Sequence, residues 1–185
     1  MGTTDTFDSP LKAAPLATAD QFPIKDSATG RAATATVGDL MGGSKAVVAV
    51  SAASTVLTVT QAAHGNRRII LNNTAPIAVT LPAATGTGAA YEFVINVAAT
   101  ATQSTIKVAN TVDVMQGLIV SLNTTAGVLI GFKNTATSDT ITLNGTTTGG
   151  GAAAVYTITD IAAGFFQILG MDTAAMTTTP LSATV

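Results

Sequence analysis

The feature of this sequence that most constrains its fold is a series of short apolar runs separated by turn-forming glycine and asparagine. Eleven such runs lie between residues 46 and 170, at a spacing of roughly 8–12 residues. They are AVVAV (46–50), TVLTVT (55–60), RRIILN (67–72), IAVTL (77–81), YEFVINV (91–97), TIKVA (105–109), GLIVSL (117–122), GVLIGFK (127–133), DTITL (139–143), AVYTIT (154–159) and FFQILG (165–170). Runs this short, rich in β-branched residues, favour strands over helices. The pattern predicts an all-β fold, a sandwich or a barrel.

Residues 1–44 differ in composition from the rest of the chain. They hold three of the six prolines, and their bulky apolar residues keep neither a helical nor a strand period. We therefore predict an extended N-terminal arm over residues 1–44 and a sandwich domain over residues 45–185. Evenly spaced bulky side chains have no use in a purely solvated linker, so the arm is predicted to contact a partner through Phe7, Leu11, Leu16, Phe22 and Ile24. The alternatives are a disordered leader or an irregular strand of the main domain.

The side chains that most reactions require are scarce. Only 10% of the residues are charged, the formal net charge is −2, and the chain has one histidine and no cysteine. The sequence offers no basic field for nucleic acid, no thiolate or acidic cluster for a metal, and no run of about 18 apolar residues for a membrane helix. The first ten residues lack the regions of a secretory signal, so export by that route is not expected. We predict a protein that is not an enzyme, takes no cofactor or metal, and binds neither nucleic acid nor membrane.

The few candidate reactive groups have simpler explanations. His64 lies in the turn-like segment QAAHGNRR without a second histidine, which indicates a solvated loop residue. Glu92 falls on the polar phase of its run, where a surface charge belongs. Asp113, Asp139 and Asp160 stand at strand ends or turns, where aspartate accepts hydrogen bonds from local backbone N–H groups. A glycosidase needs two carboxyl groups across a sugar, and the sequence does not assemble such a pair.

Two further motifs concern loops and charge. The glycine runs at 85–88 and 146–151 lack the Gly-Lys-Ser/Thr ending of a phosphate loop, so they are predicted to be turn glycines. Arg67 and Arg68 form the only adjacent basic pair. They are candidates for contact with another subunit or with an acidic patch of a partner, and an ordinary surface pair is the alternative.

Three segments carry a resemblance to a known class of proteins. They are VTLPAATGTGAAYEFVI (79–95), VANTVDVMQG (108–117) and ATSDTITLNGTTTGGGAAAVYTI (136–158). These segments resemble the β-sandwich virion proteins of tailed bacteriophages and, among them, the capsid decoration (cement) proteins. The resemblance covers about residues 67–170, and its motifs separate decoration proteins only weakly from head-fibre and tail-fibre modules.

The resemblance implies a jelly-roll-like domain that is made in the host cytoplasm and forms a homotrimer on the outer capsid surface of the virion. The trimer would lie where major capsid protein subunits meet, with the N-terminal arms clamping those subunits. No catalytic residue is implied, because the family shares a fold and a structural role. The alternative is a head- or tail-fibre module that binds a host receptor or glycan. Such a module would usually expose more aromatic side chains than two Tyr and six Phe provide.

Overall fold

The chain contains two compact units, residues 1–45 and residues 46–185. A computed structural model describes residues 21–25, 32–36, 45–99, 103–123 and 127–185 of the chain. In the first unit, strand β1 (Gln21–Lys25) pairs antiparallel with strand β2 (Ala32–Thr36). Most of the predicted arm, including Phe7, Leu11 and Leu16, lies outside the described residues.

The second unit, called the sandwich unit below, is built almost entirely of strands. Its described strands are β3 (Val47–Val50), β4 (Val56–Thr58), β5 (Arg67–Leu71), β6 (Ala78–Thr80), β7 (Ala90–Ile95), β8 (Ser104–Lys107), β9 (Val114–Asn123), β10 (Val128–Lys133), β11 (Thr140–Leu143), β12 (Val155–Ala162), β13 (Phe165–Asp172) and β14 (Leu181–Ser182), with one helical turn, α1 (Gln61–His64). Each of the eleven predicted runs overlaps one of these strands. The all-β fold predicted from the runs is confirmed, as a sandwich of two sheets.

The first six strands of the sandwich unit alternate between two sheets. Strands β3, β5 and β7 are parallel neighbours in a seven-stranded sheet, and β4, β6 and β8 are parallel neighbours in a five-stranded sheet. Parallel neighbours require a long crossover connection, and here each crossover contains a strand of the opposite sheet. The chain thus winds through three turns of a short parallel coil, as in a β-solenoid. This pairing differs from the antiparallel pairing of a jelly roll.

The later strands extend both sheets from the last turn of the coil. In the large sheet β12 pairs antiparallel with β7, β13 antiparallel with β12, β9 parallel with β13, and β10 antiparallel with β9. In the small sheet β11 pairs antiparallel with β8, and β14 with β11. The strand orders are therefore β10-β9-β13-β12-β7-β5-β3 and β14-β11-β8-β6-β4.

The core lies between the sheets and is built from every second side chain of their strands. In β13, for example, exposed and buried residues alternate along the whole strand. Tyr91, Phe93, Tyr156 and Phe166 are fully buried there, together with Ile and Leu side chains from both sheets. Burial of each such apolar side chain stabilises the fold by roughly 1.5–3 kcal/mol. Over the described ranges, no helix is long and apolar enough to cross a membrane.

Candidate interaction surface

The predicted contact residues of the arm are only partly within the described structure. Phe22 and Ile24 lie on β1, opposite Ala35 and Ala33 of β2. The structure describes the backbone of this strand pair, and the other three arm residues lie outside the described ranges. Partner contact through the arm therefore stays a prediction.

The predicted basic pair lies at the start of β5, where one arginine is used within the chain. Arg68 is the register partner of Glu92 on β7, and its Nε donates a hydrogen bond to Oε1 of Glu92. The Arg68 side chain is half exposed, whereas Glu92 is only 7% exposed. The expectation that Glu92 is an ordinary surface charge is wrong, because this carboxylate is a buried member of an ion pair. Contact of Arg67 or Arg68 with another subunit stays a prediction.

The single histidine has a structural role. His64 ends α1 and is buried, and its Nδ1 accepts a hydrogen bond from the backbone N–H of Thr60 at 3.1 Å. The hydroxyl of Thr60 in turn accepts a hydrogen bond from the backbone N–H of Ala63 at 3.3 Å. The expectation of a solvated loop histidine is wrong, since this side chain caps its own turn. Among the described residues, no group of three or more His, Cys, Asp or Glu is placed to hold a metal ion.

Asp160 fixes the first glycine-rich loop. Its carboxylate is buried and accepts hydrogen bonds from the backbone N–H groups of Thr85 (3.0 Å), Gly86 (2.7 Å) and Thr87 (3.1 Å), and from the Thr87 hydroxyl (2.8 Å). Burial alone would raise the pKa of Asp160, but the hydrogen bonds from Thr87, Gly86 and Thr85 outweigh it and lower the pKa. The loop thus encloses an anion that belongs to its own chain.

Asp172 fixes the second glycine-rich loop in the same way. Its buried carboxylate accepts hydrogen bonds from the backbone N–H groups of Gly150 (2.7 Å), Gly151 (3.3 Å) and Ala174 (2.7 Å), and from the hydroxyl of Tyr156. Burial and the adjacent carboxylate raise the pKa of Tyr156 well above its usual value. Three of the predicted turn glycines, Gly86, Gly150 and Gly151, are therefore loop residues whose N–H groups donate to a buried carboxylate.

Two more buried aspartates tie distant segments together. Asp113 accepts a hydrogen bond from the N–H of Ala84 at 2.8 Å, and Asp139 accepts one from the N–H of Thr184 at 2.8 Å. The sequence correctly indicated aspartates that bind backbone N–H groups. It indicated local capping, however, whereas Asp160 reaches donors more than 70 residues away along the chain.

The surface best suited to binding is the outward side of β12, β13, β9 and β10, called the open face below. Strand register aligns its side chains in rows across the large sheet. One row crosses all seven strands and is entirely apolar: Gly131, Val120, Met171, Val155, Val94, Ile70 and Ala49. Along the open face, Met171 is 76% exposed, Leu129 68% and Leu169 58%. Exposed apolar side chains clustered in this way mark a protein contact surface.

Two open depressions lie on this face. The larger, about 510 Å³, is lined mainly by Gln116, Lys133, Ile161 and Gln167, and the smaller, about 360 Å³, by Val120, Val155 and Met171. Leu118 and Leu169, which are register partners on β9 and β13, line both depressions. These two leucines therefore form a ridge between the depressions.

The open face carries almost no charge. Among the described outward positions of its four strands, only Lys133 is charged, and it lies at the edge strand β10. Polar groups on the face are neutral, such as Gln116, Gln167 and Thr157. A partner can therefore cover the face without desolvating many charges.

The sequence contained a signal for this surface that the strand analysis did not use. The runs GLIVSL and FFQILG carry large apolar residues on both of their alternating phases. A strand that is apolar on both sides is typical of a sheet covered on both faces. In a two-layer sandwich only one face of each sheet is covered by the other sheet, so the second apolar phase of β9 and β13 must face outward.

No protein-family model matches the sequence, and no curated protein is significantly similar to it.

Proposed function

We propose that the protein is a virion structural protein, a capsid decoration protein of a tailed bacteriophage. In this role it binds the outer capsid surface as a homotrimer and clamps neighbouring major capsid protein subunits. The observation that carries the proposal is the open face, a nearly uncharged apolar surface of the sandwich unit. The resemblance of segments 79–95, 108–117 and 136–158 to phage virion proteins supplies the phage context.

The proposed mechanism divides two tasks between the two units of the chain. The sandwich unit holds the copies together, and the arm of residues 1–44 contacts the capsid through Phe7, Leu11, Leu16, Phe22 and Ile24. Three linked arms bind with avidity, because the docking of one arm gives the others a high effective concentration near the capsid. The bound trimer then opposes the outward pressure of packaged DNA by linking neighbouring subunits.

Co-sedimentation with expanded capsids tests this mechanism. The capsids come from the phage whose genome carries the sequence, freed of the native protein. The full chain is expected to pellet with the capsids, whereas a variant lacking residues 1–43 is expected to remain folded and oligomeric but stay in the supernatant. Equal binding by both proteins would remove the arm from the mechanism.

A further inference from the structure

The open face has the size of a specific protein interface. Four strands spaced by ~4.8 Å, each contributing about eight residues that rise ~3.3 Å, define an area of about 500 Å². A biological interface requires a total of about 1,000 Å² over both partners. The open face of one copy and the equal area of the neighbouring copies that covers it together reach this total before the corrugation of the side chains is included.

The shape of the face suits a partner of the same shape. The ridge of Leu118 and Leu169 separates two depressions, so the face presents both a protrusion and recesses of side-chain size. Faces of packed sheets interlock by inserting side chains of one into the gaps of the other. A second copy of this chain supplies such a ridge and such depressions at the same spacing.

The charge of the face favours the same occupant. With Lys133 as its single described charge, the open face has nothing to pair with a strongly acidic or basic partner. Its partner must itself be apolar and nearly uncharged, and the same face of another copy fulfils this condition. Charge depletion at the centre of an interface is also what distinguishes protein contact surfaces from the rest of a protein surface.

We infer that three copies of this chain contact one another around a threefold axis through their open faces, with the Leu118–Leu169 ridge of one copy entering a depression of the next, a head-to-tail contact that closes into a ring. The inference rests on the proposed function only for the number of copies, three. The assignment of the surface is independent of whether the assembly binds a capsid.

Sedimentation of full-length charge variants tests the inference. Leu169→Asp and Met171→Asp place a carboxylate on the ridge or beside it, at outward positions that leave the core unchanged. At micromolar concentration the unaltered protein is expected to sediment at three times the chain mass of 18.3 kDa, and each variant as a single 18.3 kDa chain. Val56→Asp is the matched control, because Val56 is 64% exposed but lies on β4 of the other sheet. The control is expected to retain the mass of the unaltered protein.

Cysteine crosslinking provides a second test that does not weaken the interface by charge. The chain has no cysteine, so Leu169→Cys introduces a single thiol on the ridge. A short bismaleimide is expected to link Leu169→Cys chains into covalent pairs and to leave Val56→Cys chains unlinked.

The outcomes separate this inference from the proposed function. Charge variants that keep the oligomeric mass, or a thiol at position 169 that does not crosslink, would overturn the open face as the contact between copies. Variants that keep their mass but lose capsid binding would assign the face to the capsid instead, which also overturns the inference. A monomeric unaltered protein that still binds capsids would overturn the inference and the trimer, and leave the capsid role intact.

Discussion

At the scale of single residues, buried aspartates cross-link separate segments of the chain, a role that disulfides and metal ions have in other small β proteins. Asp113, Asp139, Asp160 and Asp172 are all buried, and each accepts hydrogen bonds from backbone N–H groups of another segment. A hydrogen bond to a charged group contributes about 1.5–3 kcal/mol, more than a neutral one. Cross-links of this kind are independent of redox conditions but depend on pH.

The first prediction concerns the contribution of Asp160 to the stability of the fold. The pKa of Asp160 is lowered in the folded state, so its stabilising contribution is present above the unfolded value of 3.8 and is lost as the pH falls through the folded pKa. Asp160→Asn is expected to lower the free energy of unfolding by about 1–3 kcal/mol at pH 7, because the amide cannot satisfy every donor of the loop. Urea unfolding should show this difference unchanged from pH 7 to about pH 5 and shrinking as the pH falls below the unfolded value of 3.8. A difference that is undiminished at pH 3 would contradict the assigned role.

The second prediction concerns Gly117, at which β9 closely approaches β13. Its φ is +154°, and a β-carbon at this position would lie 1.8 Å from the carbonyl oxygen of Ile168. Gly117→Ala must separate the two strands, and we expect a loss of at least about 3 kcal/mol in the free energy of unfolding.

A nearby glycine provides the control for this substitution. Gly131 on β10 has no positive φ, and its β-carbon would meet only the flexible end of Leu118 at 3.4 Å. Gly131→Ala is therefore expected to change the stability by less than about 0.5 kcal/mol. Equal effects of Gly117→Ala and Gly131→Ala in thermal unfolding would show that the approach of β9 to β13 is not the constraint.

At the scale of elements, the sequence predicts the strands well and their pairing poorly. The runs at 67–72 and 91–97 coincide with β5 and most of β7, because β-branched and aromatic residues mark strands locally. Nothing in either run indicates that the two strands are parallel neighbours, since the pairing depends on β6, which crosses to the other sheet between them. The partners of Asp160 are hidden for the same reason, because the residues that it binds are distant in the chain.

The two glycine-rich loops allow a paired prediction at this scale. Asp172→Asn is expected to speed amide hydrogen exchange at Gly150 and Gly151 by at least about tenfold, and to leave Gly86 and Thr87 protected. Asp160→Asn is expected to do the reverse, since neither carboxylate binds the loop of the other. Exchange that rises at both loops in either variant would indicate general destabilisation instead of a local cross-link.

At the scale of the whole molecule, the low charge of the chain is most evident on the open face, where apolar side chains are exposed to solvent. The sequence alone predicted a binding protein with few charges and placed its contacts in the arm and at Arg67 and Arg68. The structure adds a third candidate, the open face, which forms where β9, β13 and β10 lie side by side. The apolar outward phases of β9 and β13 are readable in the sequence, but their combination into one face is not, because β13 lies parallel to a strand that precedes it by some 50 residues.

The central proposal is that this protein is a structural component on the outside of a phage head. Imaging of virions by electron cryomicroscopy, with the protein labelled at its exposed C-terminal residue Val185, tests the proposal most directly. The account predicts label in threefold clusters over the outer surface of the head, where major capsid protein subunits meet. Label confined to the tail or its fibres, or virions without label, would contradict it.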